Sequence, residues 1–362
     1  MRSATSKGRE IFDKLKQDIL DGKYVPGKEF PSIVRLMRRF EVSRVTAVRV
    51  TENLKKAGLI VSRQGQGTFV TRRARLLGGA IGLIVPGICY SEVFPVICQE
   101  ISRLAQKSGL TLLFGDVSSS DPKVRAERAF GLAKKFAKEN VSGVIYQPME
   151  LVENAGEVNQ RILSVFDEAG VPVVLIDNDI VQSPERSAYE LVSVNSFDVG
   201  RSLAGHLIDE GARNLCFLMQ SNAAYSIQSR LTGVRSICAE RRAKVSVANV
   251  DVADEGAVRR LFRRKPAPDA IICRNDHLAA HLLMTLRKIG KRVPKDVRVT
   301  GCNDSSYAAA LEPALTTVRM PCADIAATAY RFLMERIADP SLPIRECYLK
   351  ATLVERASTI RS

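Results

Sequence analysis

From residue 80 onward, short apolar runs alternate with longer stretches of helical periodicity. The first series of apolar runs covers residues 80–85, 110–114, 143–146 and 172–176, and a second series covers residues 215–219, 245–250, 270–273 and 297–301. This alternation is typical of a parallel sheet covered by helices on both faces. Because the series restarts, it predicts two doubly wound α/β lobes, whose ligands bind at the carboxyl ends of the strands.

The chain has 362 residues, which is too long for one ordinary hydrophobic core and suggests at least two domains. No apolar stretch approaches the length of a membrane span, and the N-terminus leads into an amphipathic segment rather than an apolar signal sequence. We therefore expect a cytoplasmic protein without a membrane partner. The eight cysteines are scattered singly, which predicts small buried side chains and neither a metal site, a disulfide framework nor a cofactor.

The positive charge is concentrated at one end. Residues 1–75 contain 18 Lys and Arg against 7 Asp and Glu, and they carry most of the net charge of +15. Such an excess is expected where a phosphate backbone is neutralised, although charge alone is equally compatible with a solvated basic surface.

The order of elements in this basic region is helix, helix, helix and hairpin. The first helix is predicted from about residue 6 to residue 21, Ser32 is placed to cap the second, and the third begins at Ser43. On the third helix Ala47, Val50 and Leu54 share a buried arc. Two short apolar runs, residues 59–62 and 68–71, flank a glycine-containing turn that predicts a tight hairpin.

Residues 6–71 resemble the winged helix of the GntR family, through Pro31-Ser32, the segment "VSRVT" and above all "GLIVSRQGQGTFV". The resemblance implies double-stranded operator DNA as a partner, with the third helix in the major groove and the wing against a neighbouring groove. The residues predicted to contact DNA are Ser32, Arg35, Ser43, Arg44, Val45, Thr46, Val48, Arg49, Arg63, Gln64, Gly65, Gln66 and Gly67.

Residue chemistry suggests how these contacts divide. Arg44 and Arg49 can form bidentate contacts to guanine or phosphate, Val45 and Val48 can meet thymine methyl groups, and Thr46 can reach a phosphate. Any one of the arginines could also be a solvated surface charge. The family usually has Glu-Arg at positions 33 and 34 and Arg at position 48, so a typical contact is missing here or is made by Arg35 and Arg49.

A second resemblance covers about residues 80–358. Residues 273–321, which begin "CRNDHLAAHLL", are similar to the C-terminal signature of the LacI/GalR family, supported by "VPVVLIDND" and by "RLTGV". This implies a bilobal domain of the periplasmic-binding-protein type. The predicted organisation is a winged helix-turn-helix domain at 1–71, a linker at 72–79 and an effector domain at 80–362. Its first lobe would comprise 80–190 and 320–340, and its second 191–319 and 341–358.

The LacI/GalR resemblance also implies effector contacts. Asn275 and Arg230 match positions that hold the ligand in that family, while Asn303 and Asp304 stand where it usually has two aspartates. Further candidates are Gln147 and Asp177 at strand ends, Phe94, which could stack on a sugar face, and Asn195, which replaces a usual aspartate of the family and is expected in the cleft. The structural alternatives are a core role for Phe94 and a hinge role for Asp177. The effector is expected to be a monosaccharide or derivative. Because Asn303 is neutral, Arg230 could lack a counter-charge, which leaves a sugar acid such as a uronate as an alternative.

Catalysis has little support in the sequence. His277 and His281 are spaced as zinc ligands on a helix can be, but packing or proximity to the effector explains them more simply. No nucleophile–base–acid arrangement is visible, so we expect no enzyme activity. A GntR head joined to a LacI body is the arrangement of arabinose-responsive repressors, which predicts a homodimeric repressor controlled by a sugar. The alternatives are a sugar-binding protein without a regulatory role and an α/β enzyme.

Overall fold

The computed structural model describes residues 4–20, 22–24, 27–71, 79–85, 93–182, 185–219 and 223–360. Most of the predicted linker, residues 72–78, lies outside these ranges, as do Asp21 and Cys89. None of the described helices is long and apolar enough to cross a membrane.

The N-terminal unit consists of three helices followed by an antiparallel hairpin. Its elements are α1 (Ala4–Leu20), α2 (Ile33–Phe40), α3 (Arg44–Lys56), β1 (Ile60–Arg63) and β2 (Gly67–Val70). Ser32 caps α2, as predicted, and Ser43 caps α3, because each hydroxyl accepts a hydrogen bond from a backbone N–H in the first turn. Leu15, Leu36 and Leu54 meet in the core of this unit, and the strands lie one residue from their predicted positions.

The first lobe of the body contains a six-stranded sheet in which every pair of neighbours is parallel. Its strand order is β13-β7-β6-β5-β3-β4, where β13 (Glu346–Leu349) comes from the C-terminal part of the chain. The elements from this stretch of chain are β3 (Ala80–Val85), α4 (Phe94–Lys107), β4 (Thr111–Asp116), α5 (Pro122–Lys138), β5 (Gly143–Tyr146), α6 (Ala155–Glu168), β6 (Val173–Ile176) and β7 (Glu190–Val194).

The second lobe contains a four-stranded parallel sheet of order β11-β10-β8-β9. Its elements are α7 (Ser196–Asp209), β8 (Asn214–Leu218), α8 (Tyr225–Glu240), β9 (Lys244–Ala248), α9 (Glu255–Leu261), β10 (Ala270–Cys273), α10 (Asp276–Lys288) and β11 (Arg298–Thr300). All eight apolar runs identified in the sequence therefore form strands, which confirms the prediction of two parallel sheets.

The C-terminal segment crosses between the lobes. Its elements are β12 (Thr317–Arg319), α11 (Cys322–Ala338), β13 (Glu346–Leu349) and β14 (Thr352–Val354). Strands β12 and β14 pair with each other in antiparallel fashion, whereas β13 adds an edge strand to the first sheet beside β7.

The predicted lobe boundaries were wrong at two places. Residues 191–194 and 346–349 were assigned to the second lobe, but β7 and β13 belong to the six-stranded sheet of the first. No apolar run marks β7, because it begins with a carboxylate. Glu190 is buried there, with Arg336 and Arg345 supplying its counter-charges.

Helices α7 and α8 pack so closely that two glycines are required between them. A Cβ atom on Gly200 would lie 2.0 Å from the carbonyl oxygen of Arg230, and one on Gly233 would lie 1.9 Å from that of Phe197. Both distances are far below van der Waals contact, so neither position can take a side chain unless the backbones move apart. This contact fixes the position of Arg230 relative to the start of α7.

Candidate functional site

The N-terminal half of α3 presents a mixed basic and apolar surface to solvent. Arg44 and Arg49 are exposed, Val45 is 78% exposed, and Thr46 and Val48 are half-buried. Ala47, Val50 and Leu54 are buried on the opposite side of the same helix. The structure thus brings the predicted base-reading residues of α3 together on one accessible face.

The two serines predicted to contact DNA have structural roles as helix caps. The Ser32 hydroxyl accepts a hydrogen bond from the Arg35 backbone N–H at 3.4 Å, and the Ser43 hydroxyl accepts one from the Thr46 backbone N–H at 3.3 Å. Both serines and the Arg35 side chain are exposed, so the caps also hold these residues at the surface. Val34, where the GntR pattern usually has arginine, is also exposed.

The wing is an exposed turn between β1 and β2. Every residue from Arg63 through Gly67, including Gln64 and Gln66, is exposed. Gly65 and Gly67 have φ angles of 73° and 114°, in the left-handed region that favours glycine. The guanidinium of Arg63 lies 5.1 Å from the ring centroid of Phe69, which supports it by a cation–π contact.

A second group of polar residues lies where strands of the first lobe end. Gln147 follows β5 and Asp177 follows β6, which is the adjacent strand in the sheet. The Gln147 Nε2 amide donates a hydrogen bond to Asp177 Oδ2 at 3.1 Å, and Asn178 Nδ2 donates to the same oxygen at 2.9 Å. Burial raises the pKa of the Asp177 carboxyl, although the Gln147 hydrogen bond and the charge of Arg230 oppose that shift.

Arg230 reaches the same group of residues from α8 in the second lobe. It is only 5% exposed, and one terminal guanidinium nitrogen donates a hydrogen bond to the Arg274 carbonyl at 2.7 Å. Its positive charge opposes the rise in the pKa of both Asp177 and Glu150, two carboxyl groups of the first lobe. The structure therefore joins Gln147, Asp177 and Arg230 into one interlobe site.

Glu150 belongs to this site and was not identified from the sequence. Burial and the neighbouring Asp177 raise the pKa of its carboxyl to about 8, and Arg230 opposes the shift. The only signal in the sequence is that Glu150 follows β5 by a few residues, in the loop that begins with Gln147. Nothing in that loop's composition distinguishes it from Glu153, which is exposed.

Three buried polar atoms of the interlobe site lack a hydrogen-bond partner within the described part of the chain. They are Gln147 Oε1, Glu150 Oε1 and Arg230 Nε. A buried polar group without a partner costs roughly 1–3 kcal/mol, so folded proteins rarely retain one without a functional reason. These atoms are available for hydrogen bonds to a ligand.

Asn275 and Asn303, the effector contacts predicted in loops of the second lobe, are partly engaged in local hydrogen bonds. Asn275 is half-buried and caps α10, its Oδ1 accepting a hydrogen bond from the Leu278 N–H at 3.0 Å. Asn303 is half-buried with a φ of 117°, and its backbone N–H donates to the Val318 carbonyl at 2.9 Å. The side-chain amide of Asn275 still has donors to offer, because its oxygen alone is used by the cap.

Asp304 has a structural role. Its two carboxylate oxygens receive hydrogen bonds from Arg319 at 2.6 Å and from Arg356 at 2.7 Å. Burial raises the pKa of this carboxyl, but these two guanidinium groups outweigh burial and hold it below its usual range. The carboxylate braces β12 against the residues that follow β14, and both of its oxygens are already engaged.

Phe94 and Asn195 also have local roles. Phe94 is 7% exposed and packs in the hydrophobic core at the start of α4, in agreement with the structural alternative. Asn195 is exposed and caps α7, since its Oδ1 accepts hydrogen bonds from the N–H groups of Phe197 at 3.1 Å and Asp198 at 3.4 Å. Neither side chain joins the contacts that link Gln147, Asp177 and Arg230.

Two cavities border the interlobe site. One, of about 550 Å³, is lined by Asp177 and by polar residues of α8, and the other, of about 1000 Å³, is lined by Glu150 and by the start of α8. Asp179 of the first lobe and Tyr225 of the second line both cavities. These volumes are in the range of small-molecule sites.

The two histidines of α10 form a separate pair, with ring centroids 4.6 Å apart. Among the described residues, no group of three or more His, Cys, Asp or Glu side chains is arranged to hold a metal ion.

Both parts of the chain match known protein families. Residues 7–70 match the gntR family of bacterial regulatory proteins, and residues 204–359 match a periplasmic binding protein-like domain. The chain has a GntR-type helix-turn-helix domain followed by a periplasmic-binding-protein-like domain. The GntR-type domain is the unit that carries α3 and the wing, and the second domain includes Arg230, Asn275 and Asn303.

Curated relatives match this chain over most of their length. The arabinose metabolism transcriptional repressor of Geobacillus stearothermophilus is 27% identical over 366 residues, which cover 96% of each chain. The ribose operon repressor of Halalkalibacterium halodurans is 24% identical over 284 residues, covering 78% of this chain and 80% of that one. These relatives are regulators of transcription.

Solved structures share the fold of the body. The CelR transcriptional regulator in complex with cellobiose matches 88% of this chain and 91% of its own, with a TM-score of 0.65 and 23% identity. A LacI-type regulator from Alkaliphilus metalliredigens, complexed with D-xylulofuranose, matches 78% of this chain and all of its own, with a TM-score of 0.65 and 22% identity. The predicted fold class is confirmed.

Proposed function

We propose that this protein is a transcriptional repressor of carbohydrate-utilisation genes, controlled by a sugar or sugar derivative bound between its two lobes. The observation that carries the proposal is the combination of two sites in one chain. An exposed basic face on α3 precedes a bilobal domain whose interlobe residues leave buried polar atoms unpaired. The relatives that match nearly the whole chain are repressors of arabinose metabolism, which supports the same assignment.

The proposed DNA contacts are the exposed residues of α3, the caps of α2 and α3, and the wing. Arg44 and Arg49 would supply contacts to guanine or phosphate, and Val45 would meet a thymine methyl group. An apolar side chain that is 78% exposed next to two arginines is costly in water and useful in a major groove. A function on operator DNA also places the protein in the cytoplasm.

The proposed effector site consists of Gln147, Glu150, Asp177 and Arg230, together with Asn275 and Asn303 of the second lobe. The first three residues belong to one lobe and Arg230 to the other, so a ligand that bridges them favours one relative position of the lobes. Because effector and operator would bias the same two-state change, their coupling must be reciprocal. The protein would act by binding and not by catalysis.

We propose that two copies associate through the body. Val96 on α4, Phe114 on the edge strand β4 and Met284 on α10 are large apolar side chains that are about half exposed. One winged-helix unit buries too little DNA surface for a typical specific affinity, so two copies on an inverted repeat are expected. Sedimentation should give a dimer at micromolar concentration, and a monomer with and without DNA would contradict this.

DNA binding can be tested by comparing the full chain with a fragment of residues 76–362, using the DNA upstream of the protein's own gene. The full chain should bind with a logarithmic salt slope of about −5 if a dimer contacts about six phosphates. The fragment should not bind. If the fragment binds as well as the full chain, the basic head is not the DNA-binding unit and a sugar-binding protein without a regulatory role becomes the better description.

A further inference from the structure

The two histidines of α10 differ from the third histidine of the chain, which has a structural role. His206 is buried, and its ring forms a hydrogen bond of 2.8 Å with the Thr359 hydroxyl. His277 is exposed and His281 is half-buried, and neither ring forms a hydrogen bond or an ion pair with the described part of the chain. Both imidazoles therefore keep their nitrogen atoms available for a ligand.

Neither packing nor the effector accounts for this pair. His277 lies outside the hydrophobic core, and neither histidine lines the two cavities that border the interlobe site. The buried side of α10 is the opposite one, which includes Ala279, Leu282 and Leu286. The two imidazoles thus stand together on the solvent-facing side of the helix.

The distance between the two rings fits a shared metal ion. Histidines at positions i and i+4 of a helix lie on one face and can chelate one ion. Two imidazoles that bind one zinc ion through bonds of about 2.0–2.1 Å have ring centroids roughly 4.5–5.2 Å apart, for angles of about 90–109° at the metal. The centroids of His277 and His281 are 4.6 Å apart, with the ring planes tilted by 53°. The pair is therefore spaced as a two-nitrogen chelate.

The residue types on this face select the class of metal. Imidazole nitrogen is a ligand for zinc, nickel and copper, whereas magnesium and calcium take oxygen ligands. Met284 follows His281 by three residues on the same face, is about half exposed and carries a thioether, which is also a soft ligand. The face thus fits a late transition-metal ion.

One copy of the chain supplies only half of a closed coordination shell. A structural zinc site has four protein ligands in a tetrahedral arrangement. Among the described residues, no third His, Cys, Asp or Glu side chain joins the pair. Met284, on the same face, is one of the apolar side chains that we propose to be covered in the dimer. In a two-fold symmetric dimer both copies present the same surface, so the available source of two more ligands is a second His277–His281 pair.

We propose, resting on the dimer proposed above, that one divalent transition-metal ion binds between the His277–His281 pairs of two copies and strengthens the dimer. An ion that binds the dimer and not the monomer shifts the association equilibrium by mass action. Free zinc at ten times its dissociation constant should therefore tighten the dimer about tenfold. Since two winged-helix units are expected on one operator, metal would also raise the affinity for DNA.

The test uses the full chain without a histidine tag, after treatment with a chelator. Calorimetry with zinc chloride should give one ion for every two chains. Sedimentation equilibrium should give a dimer dissociation constant at least tenfold lower in saturating zinc than in EDTA, and magnesium should have no such effect. Cobalt offers a spectroscopic check, because a tetrahedral site formed by two copies absorbs visible light strongly and an octahedral site completed by water absorbs it weakly.

Three variants locate the site on α10. His277→Ala and His281→Ala should each weaken zinc binding at least tenfold and remove the effect of zinc on the dimer. Lys288→Ala changes another exposed side chain on the same face, so its zinc affinity should stay within about twofold of wild type. Melting curves in EDTA establish that all three variants fold.

The outcomes separate this inference from the proposed function. One zinc ion per chain with an unchanged dimer, or zinc binding that survives both histidine substitutions, overturns the inference and leaves the regulator as proposed. Magnesium that tightens the dimer as much as zinc also overturns it, because a general charge effect would then explain the result. A chain that is monomeric at micromolar concentration in EDTA and in zinc contradicts the proposed dimer itself.

Discussion

The α3 face and the interlobe site use the same residue types in opposite environments. Arg44 and Arg49 are exposed and held outward by a buried helix face, whereas Arg230 is buried and its charge acts on the carboxyl groups of Glu150 and Asp177. An exposed arginine makes few packing contacts in the folded protein, so replacing it should change DNA affinity without changing stability. The charge of a buried arginine offsets the charge of neighbouring carboxyl groups. Replacing it should therefore lower both effector affinity and the free energy of unfolding.

The largest effect is expected where the backbone that positions Arg230 is disturbed. Gly233→Ala places a methyl group 1.9 Å from the Phe197 carbonyl oxygen, which forces α7 and α8 apart and should destabilise the protein by about 3 kcal/mol or more. Thermal unfolding would measure it. The matched control is Gly131→Ala on α5, where no atom lies within 4 Å of the added Cβ and a small gain in stability is expected.

Removing the buried arginine tests the site itself. Arg230→Ala should weaken effector binding by about 1.5–3 kcal/mol, because a charged donor is lost. It should also lower the melting temperature, since Glu150 and Asp177 lose their counter-charge. If calorimetry gives unchanged affinity for a sugar that the wild type binds, the ligand lies elsewhere.

Removing an exposed arginine should have the contrasting result. Arg44→Ala is expected to cost roughly 1–3 kcal/mol of operator binding if Arg44 contacts a base, with no change in melting temperature. Lys138→Ala, an exposed basic position on α5, is the control for a simple loss of charge. A melting temperature that falls in Arg44→Ala would break the contrast between the two regions.

The pH dependence of stability should come from the interlobe site. Because the folded-state pKa of Glu150 is raised to about 8, the folded protein holds a proton that the unfolded chain releases near its ordinary value of 4.5. The free energy of unfolding is therefore highest at a pH below this ordinary pKa. It falls as the pH rises to about 8, with a slope of at most about 1.4 kcal/mol per pH unit.

The raised pKa of Asp177 acts in the same direction. The lowered pKa of Asp304 acts only at acid pH, below its ordinary value, and does not interfere in this window. Denaturant unfolding between pH 5 and pH 8 would measure the slope. Glu150→Gln should make it shallower, and an unchanged slope would mean that another group titrates.

The winged-helix unit was largely predictable because its signals are local. Helix caps such as Ser32 and Ser43, the spacing of Ala47, Val50 and Leu54, and the glycines of the wing depend on neighbours a few residues away. Eight of the ten strands in the two parallel sheets were predictable for the same reason, since each is a continuous apolar run, whereas β7 and β13 were not.

Only the tertiary structure decided which polar residues are buried and what they meet. Glu190 belongs to a strand because distant arginines compensate it, Asp304 is engaged by Arg319 and Arg356, and Glu150 differs from Glu153 only in being enclosed beside Arg230. The free energy of a buried charge depends on partners brought from far along the chain. Local sequence determines the elements, but it does not contain those partners.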